Sequence, residues 1–126
     1  MGAMLHVRQC VNRALAGTVN RRPSPGTLTV LMYHAITADR LDEPGQMSVS
    51  ADTFDQQMAE LQASGVTVVD LASGVADLVA GRLQTPAAAV VFDDGFVGVH
   101  AHAAEVLARR RVPATVFVTT SWIGQP

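Results

Sequence analysis

The sequence predicts an α/β fold of about four parallel strands with intervening helices, and three observations carry that prediction. Short apolar runs alternate with segments of helical periodicity from residue 28 onward. The runs Leu28 to Tyr33 and Ala87 to Phe92 are apolar almost throughout, which is how strands covered on both faces read. Residues with chemical capacity, His34 and the pair Asp93 and Asp94, stand just past the ends of those runs, where open α/β sheets and (β/α) barrels both place their sites. Such alternation implies right-handed crossovers and a parallel sheet. It does not by itself separate a doubly wound sheet from a barrel.

The elements follow in chain order. Residues 1–26 read as an N-terminal helical segment and a proline-rich linker, with a mildly basic amphipathic helix over Met4 to Val19. Arg21-Arg22-Pro23-Ser24-Pro25-Gly26 breaks that pattern, and the main domain, 27–126, begins with the strand Leu28 to Tyr33. The polar stretch from Thr37 to Val49, which contains Pro44-Gly45, predicts a long loop. Phe54, Met58 and Leu61 recur at helical spacing after the capping candidates Ser50 and Asp52, and Gly65 supplies a stop, so Ala51 to Ser64 is a helix. Val66 to Val69 is a second strand. Leu71, Val75, Leu78 and Val79 give an amphipathic helix ending near Gly81, and Ala87 to Phe92 forms a third strand. Val99, Ala103, Val106 and Leu107 mark a last helix to about Arg110, and Ala114 to Val118 is a fourth strand.

Composition narrows the functions open to the chain. With 126 residues, 48% of them hydrophobic and 16% charged, it can bury one modest core. The net charge is -2 and all nine cationic residues are arginine, so no broad positive field exists to gather nucleic acid. The single cysteine, Cys10, excludes an internal disulfide framework and a four-cysteine zinc site. No apolar run approaches the roughly 20 residues of a membrane span. Arg8 and Arg13 interrupt the stretch where a signal peptide needs its apolar region, and the compartment stays open between cytoplasm and envelope.

Chemistry concentrates in Val90-Val91-Phe92-Asp93-Asp94-Gly95, where two adjacent carboxylates end an apolar strand. Adjacent anions repel, and the pair is costly unless a cation holds one of them or one takes a proton and works as an acid or base. A plain turn satisfies the same Asp-Gly sequence, although the segment that follows is helical. His100 and His102 stand two positions apart on that helix, about 200° from each other, so they do not chelate one ion from one face. Arg109, Arg110 and Arg111 offset the dipole at a helix C-terminus.

These residues carry a family resemblance. Val91-Phe92-Asp93-Asp94-Gly95 resembles the first motif of the polysaccharide deacetylases of the NodB-homology type, the fourth carbohydrate esterase family, with Val91 in the place of threonine. Three further segments match in order: Val30-Leu31-Met32-Tyr33-His34, Thr53-Phe54 through Leu61 to Gly65, and Arg111-Val112-Pro113-Ala114-Thr115-Val116-Phe117-Val118. The resemblance implies a partial (β/α) barrel of the polysaccharide-deacetylase type and metal-dependent hydrolysis of acetyl groups on an N-acetylated polysaccharide. It assigns Asp93 as the catalytic base and Asp94 as a ligand of a divalent metal, zinc or similar. His34 and Gly95 fall in the same pocket, and Trp122, at the end of the last strand, supplies a candidate sugar-stacking wall.

The departures set further expectations. The family's two histidine ligands lie in a second motif that falls beyond Pro126, so the metal site is incomplete and the chain reads as a truncated domain. About four strands stand against the ~250 residues of closed barrels. Either the sequence is a fragment, or self-association or a second chain completes the barrel; a polysaccharide or oligosaccharide substrate is expected in both cases. The alternative is an inactive deacetylase remnant that binds glycan or a partner without turnover. A phosphotransfer reading is weaker, because the chain has no lysine and Gly95 stands where a dehalogenase-type site needs its second aspartate.

Overall fold

The computed structural model describes residues 25–39 and 47–124. The N-terminal helix expected over Met4 to Val19, Cys10 and the Pro44-Gly45 part of the expected loop lie outside the described residues. Among those described, the main sheet has four strands, β1 (Leu28–Tyr33), β4 (Thr67–Val68), β5 (Ala87–Phe92) and β6 (Ala114–Val116), and every pairing is parallel. β5 is the centre. β1 runs along one edge in register from Leu28 opposite Ala87 to Tyr33 opposite Phe92. The other edge is shared end to end: β4 pairs with Ala87 and Ala88, and β6 with Val90 to Phe92. Hydrogen bonds give the same division, since Ala87 and Asp93 donate toward β1 while the carbonyls of Ala88 and Phe92 accept from Val69 and Phe117 on the opposite side.

All six residues of β5 are buried, as a strand with neighbours on both edges and cover on both faces must be. One face of the sheet meets the core. Leu31 and Tyr33 of β1 and Ala88, Val90 and Phe92 of β5 pack there with Phe54, Met58 and Leu61 of α1 (Ala51–Ala63) and with Val99, Ala103 and Val106 of the last helix. The rings of Tyr33, Phe54 and Phe92 form a triangle with centroids 5.0 to 5.7 Å apart. Burying each such ring contributes about 1.5–3 kcal/mol. The opposite face is barer: Val30 and Met32 of β1 are 48% and 61% exposed, and Phe117 is 50% exposed just past β6.

Local chemistry sets the element boundaries. Ser50 caps α1 by accepting from the Thr53 N–H at 3.3 Å, and Gly65, at φ 77°, turns the chain away after Ser64. Asp70 caps α2 (Leu71–Val79) by accepting from Ser73, and its hydrogen bonds to Ser73 hold its carboxyl below the usual carboxylate range. The last helix opens as a π-helical turn, Val99–Ala103, and continues as α3 (Ala104–Arg110).

Three expectations need correction. The stretch expected as one long loop is bounded by two short strands, β2 (Ala35–Thr37) and β3 (Ser48–Ser50), which pair in parallel as a separate sheet. The helix α2 forms, but its apolar stripe is not its contact face: Val75, Leu78 and Val79 are exposed, and Gly74 is the buried residue. A Cβ at Gly74 would lie 2.8 Å from the Val69 side chain and 3.1 Å from that of Leu28, so the helix sits down on the one residue that allows the approach. β6 stops at Val116, two residues short of the expected end, because β5 itself ends at Phe92; the Phe117 N–H still reaches the Phe92 carbonyl at 2.8 Å.

Candidate active site

The site is assembled at the C-terminal ends of β1 and β5. Tyr33 pairs with Phe92, and the Asp93 N–H donates to the Tyr33 carbonyl at 2.9 Å, one step past the last paired residues. His34 and Asp93 are therefore adjacent positions on neighbouring strands. His34, Asp93, Asp94 and Gly95 are all partly buried. The chain then leaves the sheet through two successive left-handed residues, Asp94 at φ 69° and Gly95 at φ 72°, with the Gly95 N–H bonded to the Asp93 carbonyl. Aspartate tolerates this conformation better than most residues with a Cβ, yet holding it there costs about 1–3 kcal/mol. The Asp-Gly turn is real. It leads into a helix and not into a returning strand.

Two glycines let the surrounding segments close on this turn. A Cβ on Gly95 would lie 2.5 Å from Cγ1 of Val118, so the chain beyond β6 runs against the carboxylate loop. At Gly98 a Cβ would fall 1.9 Å from the backbone oxygen of Ile36. No L side chain fits there without moving β2. The segment that carries His34 and the loop that carries Asp93 and Asp94 are thereby held together by bare backbone.

Beneath the site, Tyr33 is clamped from its side chain. Its hydroxyl donates to Oε1 of Gln57 on α1 at 2.9 Å, and Gln57 is the buried polar residue of the core among those described. Burial pushes the Tyr33 hydroxyl well above the ordinary tyrosine range, so it remains a neutral donor at every pH the protein meets.

Trp122 sits in a one-turn 3-10 helix, Thr120–Trp122, rather than directly on the end of a strand. It is 56% exposed and meets Phe96, itself 41% exposed, edge to face with centroids 6.5 Å apart. Phe96 follows Gly95 directly, so this aromatic pair adjoins the carboxylate loop. His100 and His102 fall in the π-helical turn, His100 exposed and His102 partly buried. Arg109 and Arg110 do more than offset a dipole: both bond Oδ1 of Asp55 on α1, at 2.8 and 2.5 Å.

The structure thus brings His34, Asp93, Asp94 and Gly95 to one end of the sheet and sets Trp122 beside them through Phe96. Sequence reasoning missed Gly98, Phe96 and the Tyr33–Gln57 pair. The requirement at Gly98 comes from the Ile36 backbone across the loop, so no local signal marks it. Nothing in the spacing of Gln57 distinguishes it from a solvated helix residue.

The donor set for a metal is partial. Asp94 is a partly buried residue one position beyond Asp93, which stands opposite His34, but among the described residues no three histidine, cysteine, aspartate or glutamate side chains gather as a metal centre requires. Among the described residues, too, no helix is long and apolar enough to cross a membrane.

Residues 80–126, which include Asp93 to Phe96 and Trp122, match the polysaccharide deacetylase family model. The fold is similar to that of IcaB from Ammonifex degensii, at 31% identity and a TM-score of 0.67 over 80% of this chain and 42% of that one. It is similar to the Streptococcus pyogenes deacetylase PplD, solved in complex with acetate, at 25% identity and a TM-score of 0.68 over 81% of this chain and 47% of that one. It is also similar to the deacetylase domain of BpsB from Bordetella bronchiseptica, at 27% identity and a TM-score of 0.60 over 82% of this chain and 42% of that one. The chain spans less than half the length of these solved proteins. No curated protein matches it in sequence.

Proposed function

From a chain homologous to polysaccharide deacetylases, we propose a site for hydrolytic removal of acetyl groups from an N-acetylated polysaccharide. The observation that carries this reading is the pair of partly buried carboxylates at the end of a fully buried strand, one of them on left-handed backbone, beside His34. Strained backbone at a strand end is characteristic of working sites. Asp93, anchored through its N–H to β1, is the proton acceptor. Water attacks the acetamide carbonyl carbon, Asp93 takes its proton, and the proton passes to the nitrogen as the carbon–nitrogen bond breaks. The products are acetate and a free amine.

Asp94 is the ligand this chain contributes to a divalent cation, zinc or similar. When bound, such a cation polarises the carbonyl oxygen and acidifies water. Asp94 alone does not make the centre, so the reading requires donors beyond those the described residues bring together. A module that binds glycan without turnover is the second reading.

Acetate release from an N-acetylated oligosaccharide by the full-length domain, measured with added zinc, decides between them. For the enzyme reading, Asp93→Asn lowers turnover by about 10²–10⁴-fold, the usual contribution of a general base, and leaves metal affinity unchanged. Asp94→Asn weakens metal binding and activity together. Release that is unaffected by both substitutions would falsify the assignment. Binding of the oligosaccharide with no acetate release under any metal supports the module instead.

A further inference from the structure

Gln57 is a glutamine held within the apolar core, on the buried face of α1 that also carries Phe54, Met58 and Leu61. It is 5% exposed, and its Oε1 accepts from the Tyr33 hydroxyl at 2.9 Å, from an element 24 residues away in the chain. Stability does not account for the pair. A buried hydrogen bond returns little net free energy over two apolar groups of the same shape, because both partners give up water. What it adds is direction. The contacts of the Tyr33 ring with Phe54 and Phe92 are hydrophobic, and that attraction is non-directional; the hydroxyl bond fixes where the ring stands against α1. Tyr33 is the last residue of β1, its carbonyl accepts from the Asp93 N–H at 2.9 Å, and His34 follows it directly. The backbone of one residue therefore joins His34 to Asp93, and the side chain of that residue is tied to α1.

We propose that Gln57 is a positioning residue: acting through the Tyr33 hydroxyl, it holds the end of β1 in place and so sets His34 and Asp93 relative to each other. The positional effect is a property of the fold; its consequence for turnover rests on the proposed function. A general base must stand within hydrogen-bond reach of the water it activates, and a displacement of about 1 Å can cost 10²-fold in rate. A helix that contributes no reacting group thereby governs the site.

Three variants of the full chain separate position from stability. Gln57→Met and Tyr33→Phe each leave one buried partner unpaired and lower the denaturant midpoint. The double variant leaves neither unpaired, so stability returns toward that of the parent, but the link to α1 stays broken. Amide hydrogen exchange followed by NMR reads the strand end directly. The Asp93 N–H bonds the Tyr33 carbonyl just past one end of β5, and the Ala87 N–H bonds the Thr27 carbonyl at 2.9 Å at the other, so Ala87 is the internal control. In the double variant, exchange at Asp93 is expected to quicken by about five- to tenfold, the equivalent of one net hydrogen bond, with Ala87 unchanged. Parent rates at Asp93 in that variant, or equal acceleration at both amides, overturn the proposal. Where acetate is released, the double variant lowers kcat by about tenfold or more at constant KM; an unchanged kcat overturns it as well. Exchange that quickens at Asp93, with acetate release indifferent to Asp93→Asn, would remove the enzyme reading and leave the positioning role standing. Loss of release in Asp93→Asn, with parent exchange in the double variant, does the reverse.

Discussion

Asp94, Gly95 and Gly98 show how few atoms position this site. Asp94 carries left-handed backbone that a glycine would adopt with less strain, so its backbone conformation does not itself call for a carboxylate. Gly98 is the opposite case, a position where any side chain meets the Ile36 carbonyl. Gly98→Ala is predicted to destabilise the fold by about 2–3 kcal/mol, the scale of forced overpacking, measurable as a lowered urea midpoint with an unchanged slope. A midpoint equal to that of the parent would show that β2 yields freely. The carboxylates, His34 and Gly95 were legible in the sequence because they stand in register at strand ends. Gly98 was not, because its requirement comes from β2, which the polar composition of residues 37–49 concealed.

The elements are joined across the core by a few polar contacts whose loss has a defined sign. Tyr33 and Gln57 bond within a region of near-complete burial. Tyr33→Phe leaves the Gln57 oxygen unpaired and is predicted to cost about 1–3 kcal/mol. The double variant with Gln57→Met removes both polar partners and recovers part of that loss; chemical denaturation of the two proteins separates these outcomes, and a double variant weaker than the single one would contradict the pairing. Asp55 links α1 to α3 through Arg109 and Arg110. The Arg110 hydrogen bond, opposed by burial and aided by the nearby Arg109 and Arg110 charges, lowers the Asp55 carboxyl below its usual range. A group with a lowered folded-state pKa stabilises above its unfolded value, near pH 3.9, and loses that contribution as pH falls through the folded value. Denaturant midpoints taken from pH 7 down to pH 2 are therefore expected to converge for the parent and Asp55→Asn at the acid end, having differed at neutrality. A gap that persists to pH 2 would show that the ion pair is not its source.

The alternation of strands and helices, the parallel sheet and the central strand β5 were legible because apolar periodicity is a property of each segment by itself. Strand order along β5 was not, since β4 and β6 sharing one edge depends on their lengths, and those are set by where β5 runs out of partners. The exposed stripe of α2 escaped for a similar reason. Periodicity names an apolar face; only the fit of Gly74 against Leu28 and Val69 says which face is used.

The bare side of the sheet also gives the chain a built-in reporter of whatever covers it. Met32 stands on that side at 61% exposed, Met47 is 68% exposed away from the main sheet, and Met58 is fully buried in the core. Thioether oxidation by dilute peroxide follows access, so the three sulfurs report three surroundings at once. Met47 sulfoxide forms early under all conditions and Met58 sulfoxide only on unfolding. A polypeptide laid over β1 would slow the reaction at Met32 alone, and peptide mass spectrometry after brief peroxide treatment would read that protection directly.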